Sequence, residues 1–150
     1  MTDNHEVKTL NNLIETTLDS ADGYEQAAKE ARDSRLAPMF NARSAERRNA
    51  VLELKRYVRS LGGEPEEDGT ILASAHRMFL NLRTSLTSHD TRAVVDEVER
   101  GEDHIKSKFE DALKDTDLSQ PTRAVINDVY RMVRSGHDQM SDLKKNLHGE

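Results

Sequence analysis

Residues 122–147 read TRAVINDVYRMVRSGHDQMSDLKKNL, and the spacing of their apolar residues decides the fold. Ile126, Val129, Val133, Gly136, Met140, Leu143 and Leu147 recur in alternating steps of three and four, the pattern of a helix that lays one seam against antiparallel neighbours. Ser119 stands before the stretch as an N-cap, and Pro121 falls just inside it, where a missing N–H is harmless. Working back along the chain, the same periodicity predicts a first helix over about Asn4–Arg32, with Val7, Leu10, Ile14, Ala21, Tyr24, Ala28 and Ala31 on its stripe. After stop and cap signals at Asp33 and Ser34, a second helix carries Leu36, Phe40, Ala50, Leu54, Tyr57 and Leu61 and ends at Gly62-Gly63. A short helix over about Thr70–Leu86 follows. The next long helix runs from the cap signal TSHD to about Lys114, with Val94, Val98, Ile105, Phe109 and Ala112. The expectation is an all-α antiparallel four-helix bundle with a short extra helix in the middle crossover, residues 1–150 forming one domain.

Composition agrees with long helices that bury a single stripe. Charged residues make up 33% of the 150-residue chain and hydrophobic ones only 35%, so the core is a seam rather than a thick interior. With 28 acidic against 22 basic residues, the net charge is −6, which argues against nucleic-acid phosphates as partners. ARSAERRNAVLELKRYVR is locally basic, but its interspersed acids suit a solvated helix face. The absence of cysteine removes disulfides, thiolate metal sites and cysteine nucleophiles. No stretch approaches the roughly 20 apolar residues of a membrane span, and the N-terminus has no signal-peptide pattern, so a cytoplasmic protein is expected. Ser119, His89 and the scattered aspartates sit in no nucleophile turn. His5, His76, His89 and His148 read as surface residues, with His76 also suited to a capping hydrogen bond against the bundle. Met78, Phe79 and Leu82 form a leftover apolar stripe that a homodimer would cover.

Polar residues that share the stripes are the candidates for function. Arg43 and Arg47 fall on the second helix's stripe with Glu46 beside them. Gly101 takes a seam position with Glu102 next to it, and Gly136 takes another with His137 next to it. Glycine inside a helix costs about 1 kcal/mol relative to alanine, so both glycines imply close helix contacts or room for a bulky neighbour such as arginine. Taken singly, a Glu, His or Arg beside a seam is most often a half-exposed residue whose head reaches water. Together, on three helices, they converge only if the bundle brings them together.

FNARSAERRNAVLEL (40–54), ERGED (99–103) and GHDQMSDL (136–143) resemble ligand-bearing stretches of rubrerythrin-type ferritin-like proteins. LIETTLDSADGYEQAAKEA, ERRNAVLEL, LGGEPEEDGT, ASAHR and ERGED resemble more closely an uncharacterised bacterial family of ferritin-like four-helix bundles. The first resemblance implies a di-iron pattern in which Glu46, Glu102 and His137 hold ligand positions. Asn49, Ile105 and Arg134 stand where further ligands belong. The first-helix carboxylate position falls on Thr17, with Glu15 or Glu25 within a small shift of it.

Two expectations follow. In the first, the di-iron site is degenerate and a buried polar network of Glu46, Glu102, His137, Asn49 and Arg134, with Arg47 and Glu25 nearby, replaces it. Arg134 takes the cation's place, no cofactor is needed, and the protein has a non-catalytic structural or stress-related role. In the second, a residual site of Glu46, Glu102 and His137, helped by Glu25 or His104, binds iron or manganese for redox or storage. Whether the protein is an enzyme turns on that choice.

Overall fold

The computed structural model describes residues 4–30, 35–66 and 91–147. They form four helices: α1 over Asn4–Glu30, α2 over Leu36–Ser60, α3 over Thr91–Leu113 and α4 over Gln120–Leu147. The expected short helix at 70–86, the stripe Met78, Phe79 and Leu82, and His76, His89 and His148 lie outside the described residues.

Two helix ends follow from their local sequence, whereas α2 starts after Arg35 with no side-chain cap and the expected cap signals Asp33 and Ser34 lie outside the described residues. α2 stops because Gly62 takes a left-handed conformation, φ 81°, which glycine adopts without a Cβ penalty. The Gly62 N–H then bonds the Arg59 carbonyl at 2.9 Å and the Gly63 N–H bonds the Val58 carbonyl at 3.0 Å, the paired bonds of a Schellman motif. Gly63 is also a close approach: a Cβ there would lie 2.8 Å from a Val7 methyl of α1. Ser119 caps α4 as expected, its Oγ accepting the Thr122 N–H at 3.4 Å, and Pro121 sits in the first turn.

Contact pairs set the helix directions. Asn11 meets the backbone of Glu64 and Glu66, while Ser44 Oγ donates to the Ala21 carbonyl at 2.8 Å and Tyr24 packs on Phe40. One index rises as the other falls, so α1 and α2 run oppositely. The same holds for α3 and α4, where Arg123 meets Leu113, Tyr130 meets Glu110, and Lys144 meets Glu99. α1 also packs on α3, and α2 on α4, with Glu6 accepting from the Ser119 N–H and Tyr57 bonding Thr122 at 2.9 Å. Round the bundle the order is α1, α2, α4, α3, which sets α2 and α3 diagonally opposite and pointing the same way. α2 ends beside the start of α1, and α3 starts at the other end of the bundle.

The buried apolar residues fall into two groups. One joins Leu10, Ile14, Leu54, Val58, Ile105, Phe109, Ile126 and Val133 with their neighbours. The other joins Tyr24, Ala27, Leu36, Phe40, Val95 and Met140. Between them, at residues 16–21, 43–47, 102 and 136, the interior is lined by Thr16, Thr17, Arg43, Ser44, Arg47 and Glu102. A polar layer therefore crosses the core.

Candidate functional site

Arg47 is the centre of that layer. Its side chain is fully buried because α2 presents positions 40, 43, 47, 50 and 54 inward at helical spacing. Arg47 Nη2 donates to Glu102 Oε2 on α3 at 2.8 Å, and Nη1 donates to Ser20 Oγ on α1 at 2.9 Å. The guanidinium carbon lies 5.7 Å from the Tyr24 ring centroid, close enough for a cation–π contact. On the α4 side, a Cβ at Gly136 would stand 2.5 Å from Arg47 Nη2 and 3.0 Å from Arg43 Nη1. One arginine thus touches all four helices, and Gly136 lacks a side chain because a guanidinium occupies the space.

Arg43, one turn earlier and 7% exposed, donates to Glu46 Oε1 at 3.0 Å and to Gln139. Among the described residues Arg47 Nε meets no hydrogen-bond partner, and the Tyr24 phenol lies beside the Glu102 carboxylate without reaching full hydrogen-bond geometry. Burial first, and the nearby Glu102 charge second, push the Tyr24 phenol well above its usual ionisation, so it remains an O–H.

The sequence-derived site residues scatter around this centre. Glu102 is buried as expected, but its carboxylate is held by Arg47. Glu46 has a side chain 45% exposed and turns to Arg43. His137 sits between core and surface, its Nε2 2.6 Å from Asp103 Oδ1 and its Nδ1 3.3 Å from Asp138 Oδ1. Burial opposes its imidazolium, but the hydrogen bonds to Asp103 and Asp138 outweigh it and raise its pKa. Glu25 is paired on the outer face with Arg48 at 2.8 Å and Lys29 at 3.4 Å; chiefly Arg48, then Lys29, hold its carboxyl below the ordinary value.

Two expected members of the buried network are corrected. Asn49 and Arg134 are exposed. Asn49 lies two residues from Arg47, which points it away from the inward line 43–47–50–54, and Arg134 follows the core residue Val133 by about 100° of helical turn. Arg47, not Arg134, is the cation at the centre. His104 is likewise exposed, whereas Ile105 is buried in the apolar group. Thr17 is buried with its hydroxyl donated to the Leu13 carbonyl at 2.7 Å. A dinuclear centre needs several carboxylates converging on open coordination positions. Here Glu46, Glu102 and His137 face three different partners, and a guanidinium fills the middle, so this donor set does not fit one.

A family model for a domain of unknown function, DUF2383, matches residues 5–115. The chain belongs to the DUF2383 family. The DUF2383 match takes in α1 from His5 onward, α2 and α3, and so includes Ser20, Tyr24, Arg43, Arg47 and Glu102. α4, with Gly136 and His137, lies beyond the DUF2383 span. No curated protein matches the chain. Among the described residues, no helix is long and apolar enough to cross a membrane.

Proposed function

We propose that this chain is a ferritin-like bundle whose central layer holds an ion pair in place of a metal centre, and that its role is structural and not catalytic. The observation that carries this reading is the 2.8 Å contact of Arg47 with Glu102, at 0% and 1% exposure. A carboxylate bound to guanidinium has lost its freedom to ligate a cation, and the fixed positive charge repels one. The topology supports the ferritin-like part. Diagonal helices α2 and α3 point the same way, as a bundle with one long crossover requires.

The direct test is anaerobic calorimetric titration of the untagged protein with Fe(II) and Mn(II), together with Glu102→Gln. The expected result is no ion bound at the bundle centre and no change in metal stoichiometry in the variant. Tight binding of two ions that Glu102→Gln abolishes would instead establish an iron or manganese redox or storage protein.

A further inference from the structure

Away from the central layer, α3 and α4 bring together a second set of donors. Glu99 and Asp103 are one turn apart on α3 and share a helix face, and His137 reaches them from α4. One oxygen of each acid and one imidazole nitrogen all lie within 4.8 Å of one another. Asp103 Oδ1 is 2.6 Å from His137 Nε2, while Asp138 Oδ1 takes the other nitrogen, Nδ1, at 3.3 Å. An imidazole held by a carboxylate on one nitrogen, with the other turned toward acidic donors, is how histidine ligands are oriented at metal centres. Neither Glu46 nor Glu102 takes part: Glu102 points into the core and its neighbour Asp103 points out.

We propose that Glu99, Asp103 and His137 form a mononuclear site for a divalent transition-metal ion of the zinc class, on the surface seam between α3 and α4. Two carboxylates balance the ion's charge. The imidazole favours a zinc-class ion over calcium or magnesium, which take oxygen ligands. An ion about 2.0–2.2 Å from each donor in tetrahedral geometry spaces the donors by about 3.3–3.6 Å, so His137 Nε2 and Asp103 Oδ1, 2.6 Å apart, have to open by about 1 Å, a shift within reach of the exposed Asp103 side chain. Asp103, with a side chain 57% exposed, keeps one side of the site open to water as the remaining ligand. Lys144 Nζ lies 3.4 Å from Glu99 Oε1 and competes for that carboxylate, so it has to swing away when the ion enters. Because the ligands come from two helices, binding fastens α3 to α4 and stabilises the folded chain.

The experiment is calorimetric titration of the full, untagged chain with ZnCl2, with thermal unfolding measured in parallel. Wild type should take up one Zn2+ per chain at this site and unfold at a higher temperature with the ion. His137→Gln and Asp103→Asn should weaken binding at least tenfold and lose the thermal shift, and Lys144→Ala should tighten it. A merely structural His137–Asp103 contact would not make binding sensitive to Lys144. Failure of wild type to bind Zn2+, or binding unchanged in His137→Gln, would overturn the proposal. So would binding lost in His5→Gln, which would place the ion at His5, Asp115 and Asp117. Binding lost in Glu102→Gln but kept in His137→Gln would put the ion at the bundle centre, overturning this proposal and the central ion-pair reading together. One ion lost only through His137, Asp103 or Glu99 leaves the central reading intact.

Discussion

Arg47 Nη2 and Glu102 Oε2 meet at 2.8 Å across the diagonal of the bundle, with both side chains closed to solvent. Because α2 and α3 stand opposite each other, this pair spans the interior and does not simply fasten neighbours.

Removing one partner of such a pair strands the other charge, which costs about 3–5 kcal/mol, whereas replacing both by apolar residues of similar size is often neutral or better. Arg47→Met and Glu102→Leu should each destabilise by about that much. The double variant should recover most of the loss. Urea denaturation of the four proteins completes the cycle, and a double variant as unstable as the sum of the singles would show that the pair is not a coupled unit.

Gly136 makes a second cycle. Alanine there gains about 1 kcal/mol of helix propensity, yet its Cβ would stand 2.5 Å from Arg47 Nη2 and force the guanidinium off Glu102. Gly136→Ala should therefore be destabilising by about 1–3 kcal/mol in the wild-type background. In the Arg47→Met background only Arg43, whose Nη1 lies 3.0 Å from that Cβ position, still crowds it, so the cost should be much smaller or absent. Thermal melts of both pairs read the difference.

Stability should also depend on pH through Asp19. Partial burial first, then the charges of Asp22 and Glu15, raise its carboxyl from 3.8 to about 6. Between those values the folded chain binds more protons than the unfolded one, so this group's contribution falls as pH rises and is fully unfavourable above about 6. Asp19→Asn should stabilise by about 1–2 kcal/mol at pH 7.5, after allowing for solvent screening. The gain should vanish below pH 4. Melting temperatures over pH 4–8 check the slope.

At the end of α2, Gly62 holds φ 81°, a conformation that costs an L-residue with a side chain about 1–2 kcal/mol. Gly62→Ala should lower stability by about that amount. Circular dichroism melts, with unchanged helical content before the transition, measure it.

Much of this architecture is legible in the sequence, because stripes, caps and glycine stops are local signals. Ser119, Pro121, Gly62 and the 3–4 seam of α4 all act as their chemistry dictates, and Arg43 and Arg47 do lie on the inward line of α2. What the sequence obscures is which of two neighbouring charges turns inward. Glu46 and Arg47 are one residue apart, about 100° on the helix, and ligand spacing borrowed from rubrerythrin-type proteins selects Glu46 while the line 43–47–50–54 selects Arg47. The same borrowed phase placed Asn49 and Arg134 inside, though both face solvent. Ser20 and Gln139 escaped notice because a polar residue beside a stripe looks like surface until its partner's position is known. Glu99 and Asp103 left one usable trace: two acids at i and i+4 on α3, with the Gly136-His137 step on the helix antiparallel to it.

The buried arginine also restricts what mutation can make of this chain. To become a carboxylate-lined metal centre, the layer would have to lose Arg47 and gain acids, and the first step in either order strands a charge at a cost of about 3–5 kcal/mol. Domains of this size hold only about 5–15 kcal/mol in reserve. A lineage that carries the Arg47–Glu102 pair can leave it, toward apolar residues or toward ligands, only through a first change that strands a charge and takes away much of that reserve. The pair acts as a ratchet on descent, and chains that carry it should vary more freely on their outer helix faces than at positions 47, 102 and 136.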